Sequence, residues 1–273
     1  MSDQYPTSYL RHLGESGEGP HDIARAALML AALDHDRRRG PYEAHLNEIA
    51  TASRGKLHPH SHAEENARSL SALLAGRYGY DGDRLTYDDQ KNADLMAVID
   101  RRRGLPVTLG ILYLHAARAA GLEASGLNTP GHFLLRIRAK GSAALMDPFN
   151  GGAVLDRERL EAPPGMAAPA SDESAYGEPV SDTDVLLRLQ NDLKMRALHD
   201  GDRARSLEIA GRMVLIAPTR ADLWLDLARL NEACGSLGAA QRAYECCLAQ
   251  ARSGAVLHNE AALGLAGLKR RLN

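Results

Sequence analysis

Apolar residues recur every three or four positions along much of the chain. They lie at Ile23, Ala27, Leu30 and Ala31 within 22–36, and at Leu46, Ile49 and Ala50 within 41–53. That spacing predicts two amphipathic helices, with Asp22 as a capping start and Pro41 suited to a first turn. A third helix is expected over 63–78, ended by Gly79, and a short one over ADLMAVIDRRRG, ended by Gly104. The stretch 106–120, PVTLGILYLHAARAA, is apolar on almost every side up to Tyr113 and reads as a buried helix. Pro106 suits its first turn and Gly121 its left-handed stop. Two strands follow at 132–138 (HFLLRIR) and 144–147 (ALMD), before the turn-forming Pro-Phe-Asn-Gly-Gly at 148–152. A buried helix followed by neighbouring strands predicts an α+β domain with a small antiparallel sheet.

From 161 to 184 the composition shifts to Pro, Ala, Ser and acid, the signature of a linker. Beyond it the pattern is helical to the end, and it overlays itself at an offset of 34 residues. Gly201 meets Gly235, Ser206 meets Ala240, Ala210 meets Tyr244, and Met213 meets Cys247. A fixed period of this size marks a repeat of helical hairpins. Such hairpins form either a concave peptide-binding groove or a helical cap.

Composition narrows the function. Thirty-three Lys and Arg balance 35 Asp and Glu, for a formal charge of −2, so a global basic field for nucleic acid is excluded. Aromatics are 4 %, which favours helix over an all-β sandwich. Three cysteines, Cys234, Cys246 and Cys247, make no even disulfide framework and point to packing in a reduced compartment. The N-terminus carries no signal-like apolar core and no stretch approaches membrane-spanning length, so a cytoplasmic protein is expected.

One constellation has the order of a nucleophile, base and orienting carboxylate: a helix start at 104–108, His132 opening a strand, and Asp147 ending the next. A His132–Asp147 hydrogen bond is expected, to orient a base, bind a ligand or fasten two strands. Thr108 is the hydroxyl nearest the helix start, either a weak nucleophile or a local hydrogen-bond donor. Asn92, in the YDDQKN tract, is a turn residue or a polar member of the site. The HPHSH run (His58, His60, His62) reads as a solvated loop rather than a metal site, for want of organised ligand pairs. Arg101, Arg102 and Arg103 form a solvated helix end or an anion-binding lip.

The segment RRRGLPVTLGILYLHAARAAGLEASGLNTPGHFLLRIRAKGSAALMDPFNGG resembles the transglutaminase-like superfamily, whose core is papain-like. The resemblance maps His132 and Asp147 onto the family histidine and aspartate and puts Pro106 where the nucleophilic cysteine would stand. More narrowly, through TYDDQKNADLMAVIDRRRGLPVTLGILYLHAARAAGL, NTPGHFLLRI and MDPFNGG in that order, the chain resembles bacterial SirB-family proteins over 22–273. In these the cysteine position is commonly Pro within a motif that Gly104, Pro106, Thr108 and Leu109 match. The C-terminal pattern resembles the tetratricopeptide repeat through Trp224, Leu227, Ala228, Gly235, Ala240, Tyr244 and Cys247, with Gln190 where the first unit would carry Trp.

The resemblance implies four parts: a helical region at 1–105, a transglutaminase-like core at 106–160 packed with it, the linker at 161–184, and tetratricopeptide-like helices at 185–273. It also implies a pseudoenzyme acting in regulation through a protein or peptide partner. That partner would engage a cleft edged by Asn92, Gly104, Pro106 and Gly131, or the repeats at Trp224 and Tyr244. No cofactor, metal, nucleic acid or membrane is implied. The alternative is an amide hydrolase or acyl-transferase using Thr108, His132 and Asp147.

Overall fold

The computed structural model describes residues 4–35, 37–129, 132–155 and 178–272. The chain forms two units: Gly19–Leu186, and a second made of Met1–Glu18 with Leu187–Asn273.

In the first unit, α2 (Ile23–Ala32) follows α1 (Tyr5–Glu15), which belongs to the other unit. The Asp22 side chain caps α2 by accepting the Arg25 N–H at 3.2 Å, and eight of its ten residues are buried. Next come α3 (Gly40–Arg54) and α4 (Ala63–Ser71), the latter continued by a π-helical turn over Ala72–Arg77. The helix expected over 63–78 is therefore α-helical only to Ser71. A two-residue strand β1 (Asp81–Gly82) and a 3-10 turn at Gln90–Ala93 lead to α5 (Leu95–Arg101). The stop of α5 is a correction to the sequence reading. Arg102, not Gly104, takes the left-handed conformation (φ 59°), while Gly104 lies in β2 (Arg103–Gly104), paired parallel to β1.

Helix α6 (Pro106–Ala119) begins and ends as its pattern predicts, with Pro106 in the first turn and Gly121 left-handed just after it. It lies against an antiparallel sheet of β3 (Glu123–Thr129), β4 (His132–Ala139), β5 (Ser142–Asp147), β6 (Ala153–Leu155) and β7 (Pro179–Val180), in the order β6-β5-β4-β3-β7. Side chains alternate across the sheet. Phe133 faces α6, and Leu127, Leu134 and Leu145 cluster on the other side. A Cβ on Gly110 of α6 would lie 2.4 Å from the Phe133 ring, and one on Gly126 of β3 2.8 Å from it. Two glycines thus let helix, aromatic ring and strand approach closely.

Residues 161–177 of the expected linker lie outside the described residues. Its last part is ordered: Pro179 and Val180 add the edge strand β7, and α7 (Asp182–His199) starts at once. Ser181 caps the helix start: its Oγ accepts the Asp184 N–H at 3.1 Å and donates to Asp184 Oδ2 at 2.9 Å. Asp182 also accepts the His21 N–H at 2.9 Å and the Arg118 guanidinium at 2.8 Å.

In the second unit, α1 packs on α8 (Arg203–Ile216), although the sequence places it with the region 1–105. Then follow α9 (Ala221–Ala233), α10 (Leu237–Gln250) and α11 (Val256–Leu272). Positions 34 apart share their surroundings. Gly201 and Gly235 have φ 76° and 75°, and Ser206, Ala240, Ala210, Tyr244, Met213 and Cys247 are all buried. Among the described residues no helix is long and apolar enough to cross a membrane.

Candidate functional site

At the start of α6 no side chain caps the helix. Instead, the backbone carbonyl of Asn92 accepts two bonds, from the Leu105 N–H at 2.9 Å and from Thr108 Oγ1 at 2.9 Å. Thr108 is 0 % exposed, so its hydroxyl points into the core. Asn92 is equally buried, and its side chain fixes the preceding loop. Nδ2 donates to the carbonyls of Thr86 (2.6 Å) and Tyr87 (3.3 Å), and Oδ1 accepts from Arg101 Nη1 (3.0 Å).

The other half of this network is Asp83, which sequence reasoning passed over. Its carboxylate accepts from Thr86 Oγ1 (2.6 Å), the Thr86 N–H (2.9 Å) and Arg101 Nη2 (2.7 Å). The Thr86 bonds, with smaller help from Arg101 and Asn92, hold its pKa well below the usual carboxylate range against the opposing effect of burial. The local spacing Asp83-x-x-Thr86 was a usable signal; the Arg101 partner, 18 residues away, was not. Gly104 sits beside these groups. A Cβ there would lie 2.9 Å from Val98 Cγ2, so this glycine serves packing.

Among the described residues, His132 and Asp147 are not bonded to each other. The β4–β5 register pairs Leu135 with Met146. Continued by one step, it sets Asp147 opposite Leu134, two residues along from His132. Asp147 caps the 3-10 turn Pro148–Asn150, accepting from the Phe149 N–H (2.9 Å), the Asn150 N–H (3.3 Å) and Asn150 Nδ2 (2.5 Å). His132 is exposed at the strand end and pairs with Thr129, whose Oγ1 donates to the His132 carbonyl at 3.1 Å. By alternation its ring stands on the face away from Phe133 and α6. Among the described residues no hydrogen bond or ion pair joins it to Asp147. The expected bond is absent because a carboxylate three residues before Asn150 is taken by the donors of its own turn rather than by an imidazole on the neighbouring strand. Gly131 lies outside the described residues.

Tyr113, midway along α6, was also missed. Among the described residues its buried hydroxyl has no hydrogen-bond partner, and it lies against Gly152, where a Cβ would lie 2.5 Å away. Burial first, then the negative charges of Asp81 and Asp147, push this phenol's pKa far up. The His58–His62 loop is held by Asn66, which accepts the His58 N–H at 2.8 Å and donates to the carbonyls of His58, Ser61 and His62. Among the described residues, no three His, Cys, Asp or Glu side chains are grouped to hold a metal.

The two residues expected to bind through the repeats are tied into their own hairpins. Trp224 Nε1 donates to the Pro218 carbonyl at 2.7 Å, and the buried Tyr244 hydroxyl donates to Glu232 Oε2 at 2.9 Å. Burial and that carboxylate raise the Tyr244 pKa to about 12. Cys247 is buried, which raises its thiol pKa, whereas Cys234 is exposed.

Residues 41–191 match the family described as the transglutaminase-like superfamily. This span contains none of the three cysteines. A UPF0162 protein of Xylella fastidiosa (strain Temecula1) is 30 % identical over 163 residues, covering 58 % of this chain and 58 % of that protein. One from Pseudomonas aeruginosa is 27 % identical over 205 residues, 74 % of each. F-box only protein 21 of Homo sapiens is 32 % identical over 82 residues, 30 % of this chain and 13 % of that protein. The matched stretch thus spans under two thirds of the Xylella relative's own length. No solved structure matches the chain. With more than half of its length matched and the buried helix and antiparallel sheet in place, this chain belongs to the transglutaminase-like superfamily.

Proposed function

We propose that the chain is a non-catalytic regulatory protein of the cytoplasm, in which a transglutaminase-like core without its thiol serves as a scaffold and the C-terminal helical hairpins engage a protein or peptide partner. The start of α6 carries this reading. Pro106 occupies the first turn, residues 41–191 hold no cysteine, and the Thr108 hydroxyl is buried in a bond to Asn92. A nucleophile must reach both substrate and base. The Thr108 hydroxyl is committed to the Asn92 carbonyl, and no hydrogen bond joins His132 to Asp147 among the described residues, which speaks against the hydrolase or acyl-transferase alternative.

The 34-residue recurrence of glycine conformation and buried positions supports reading 185–273 as tetratricopeptide-like hairpins of the SirB-family kind. Two such hairpins plus α11 make a short array whose neighbours complete one another's cores.

The test uses the purified full-length chain, offered amide donors with and without a primary amine acceptor. The expected result is no hydrolysis and no amide exchange above the blank. Turnover that disappears on His132→Ala would overturn the proposal.

A further inference from the structure

A cleft of about 560 Å³ opens in the first unit between the start of α3 and the end of α5, lined by Arg37, Arg38, Tyr42, His45, Asp100 and Arg102, with Pro41 and Ile99 as its apolar part. That volume lies in the range of small-molecule sites. Three guanidinium groups meet one carboxylate here, and the carboxylate is already taken. Asp100 Oδ2 accepts from Arg37 Nη1 at 2.9 Å and from the Tyr42 hydroxyl at 3.0 Å. Arg38 is exposed and has neither hydrogen bond nor ion pair among the described residues.

Among the described residues, Arg102 is bound only to neutral groups. It donates to His45 Nε2 at 2.7 Å and to the Tyr80 hydroxyl, and its guanidinium stacks on the Tyr80 ring at 4.6 Å. Burial, then the Arg102 charge, lowers the His45 pKa and keeps the imidazole neutral. The next carboxylate, Glu48, faces His45 Nδ1 at 3.6 Å, accepts from the Tyr78 hydroxyl at 3.0 Å and lies 3.9 Å from Arg77. Among the described residues, the cleft therefore carries two guanidinium groups without a carboxylate partner, Arg102 held in place and Arg38 open to solvent.

The backbone adds an independent observation. Arg102 holds φ 59°, the left-handed helix stop that glycine fills most cheaply. A non-glycine residue at such a position carries a backbone cost, which Arg102 shares with Lys140 (φ 50°) in the turn between β4 and β5. Here the side chain is fixed over Tyr80 and directed to the cleft that Arg38 also borders.

We propose that this cleft is a binding site for a phosphomonoester dianion, held by Arg102 and Arg38, with Pro41 and Ile99 contacting the organic part. Guanidinium groups match phosphate oxygens bidentately, and two open charges match a dianion better than a carboxylate monoanion. The site is independent of any chemistry at α6.

The experiment is calorimetric titration of the full-length chain with phenyl phosphate at low ionic strength, with inorganic phosphate and benzoate as further probes. Arg38→Ala removes an exposed charge. Arg102→Gly removes the other while keeping a residue suited to φ 59°. Each should weaken phenyl phosphate binding about tenfold or more, as loss of a charge-assisted bond does. Asp100→Asn, which removes the opposing charge and frees Arg37, should tighten it. Tenfold weaker benzoate binding supports the dianion assignment. Absence of phenyl phosphate binding, binding indifferent to Arg38→Ala and Asp100→Asn, or benzoate binding as tight as phenyl phosphate would overturn the proposal.

Discussion

Thr108 Oγ1 donates to the backbone carbonyl of Asn92 at 2.9 Å, sixteen residues back, and this bond fastens the first turn of α6 to the loop before α5. Thr108→Val keeps the shape and deletes the donor. The cost should be about 1 kcal/mol, the net worth of one buried neutral bond, while Thr108→Ser should retain most of it. Chemical denaturation of the two variants checks this. Equal stability of Val and Thr would remove the bond from the account.

Asp83 supplies a pH signature. Its folded pKa is depressed, so its stabilising contribution is present in full above the ordinary carboxylate value near 4 and fades as pH falls through and below it. Asp83→Asn should therefore destabilise the protein by about 2 kcal/mol at neutral pH. The gap between wild type and variant should narrow as the solution is acidified below about pH 4. Urea midpoints measured across pH 3 to 7 test both halves, and a gap that widens on acidification contradicts the assignment.

Gly110 sets two effects against each other. Helix propensity alone makes Gly110→Ala stabilising by about 1 kcal/mol. A Cβ there would stand 2.4 Å from the Phe133 ring, which Gly126 confines from the other side. Overpacking of this kind costs about 1 to 3 kcal/mol, so the substitution should destabilise on balance. Adding Phe133→Leu should recover part of the loss, giving a positive coupling in a double-mutant cycle. A more stable Gly110→Ala protein would show that helix and sheet are not closely seated.

In the C-terminal helices, Gln190 is buried and its Oε1 has no hydrogen-bond partner among the described residues. It stands 34 residues before Trp224, the large residue of the next hairpin. Gln190→Leu replaces an unpartnered amide with apolar surface and should raise stability by about 1 kcal/mol. A thermal melt that moves down instead would point to a bond that the amide makes on its nitrogen side.

These contrasts show where the sequence was informative. Helices α2, α3 and α6 were legible because apolar periodicity, Pro106 and Gly121 are local signals of the backbone itself. Strands β4 and β5 were legible from their apolar runs. Strand β3, EASGLNT, was not, since Gly126 is kept small by the Phe133 ring on a neighbouring strand. Strand β7 was hidden by Pro179, which only an edge position tolerates. The Ser181 cap of α7 was present in the letters, but the surrounding Pro-rich composition masked it.

The site divides along the same line. Residue types and order gave His132, Asp147 and Thr108, yet their partners depend on competition in space. Asp147 had a choice between an imidazole across the sheet and backbone donors in its own turn, and the nearer donors win. Arg101, Arg102 and Arg103 read as one basic run, but the left-handed turn at Arg102 sends them apart. Arg101 goes to Asp83 and Asn92, Arg102 to Tyr80 and His45, and Arg103 to the Gly79 carbonyl.

The central claim, that no nucleophile is poised at the start of α6, is tested most directly by acyl trapping. The full-length protein is incubated with p-nitrophenyl acetate and its peptides are mapped by mass spectrometry. The account predicts that the peptide bearing Thr108 stays unmodified, in wild type and in His132→Ala alike. Acetyl-Thr108 in the wild-type protein, lost in His132→Ala, would contradict it.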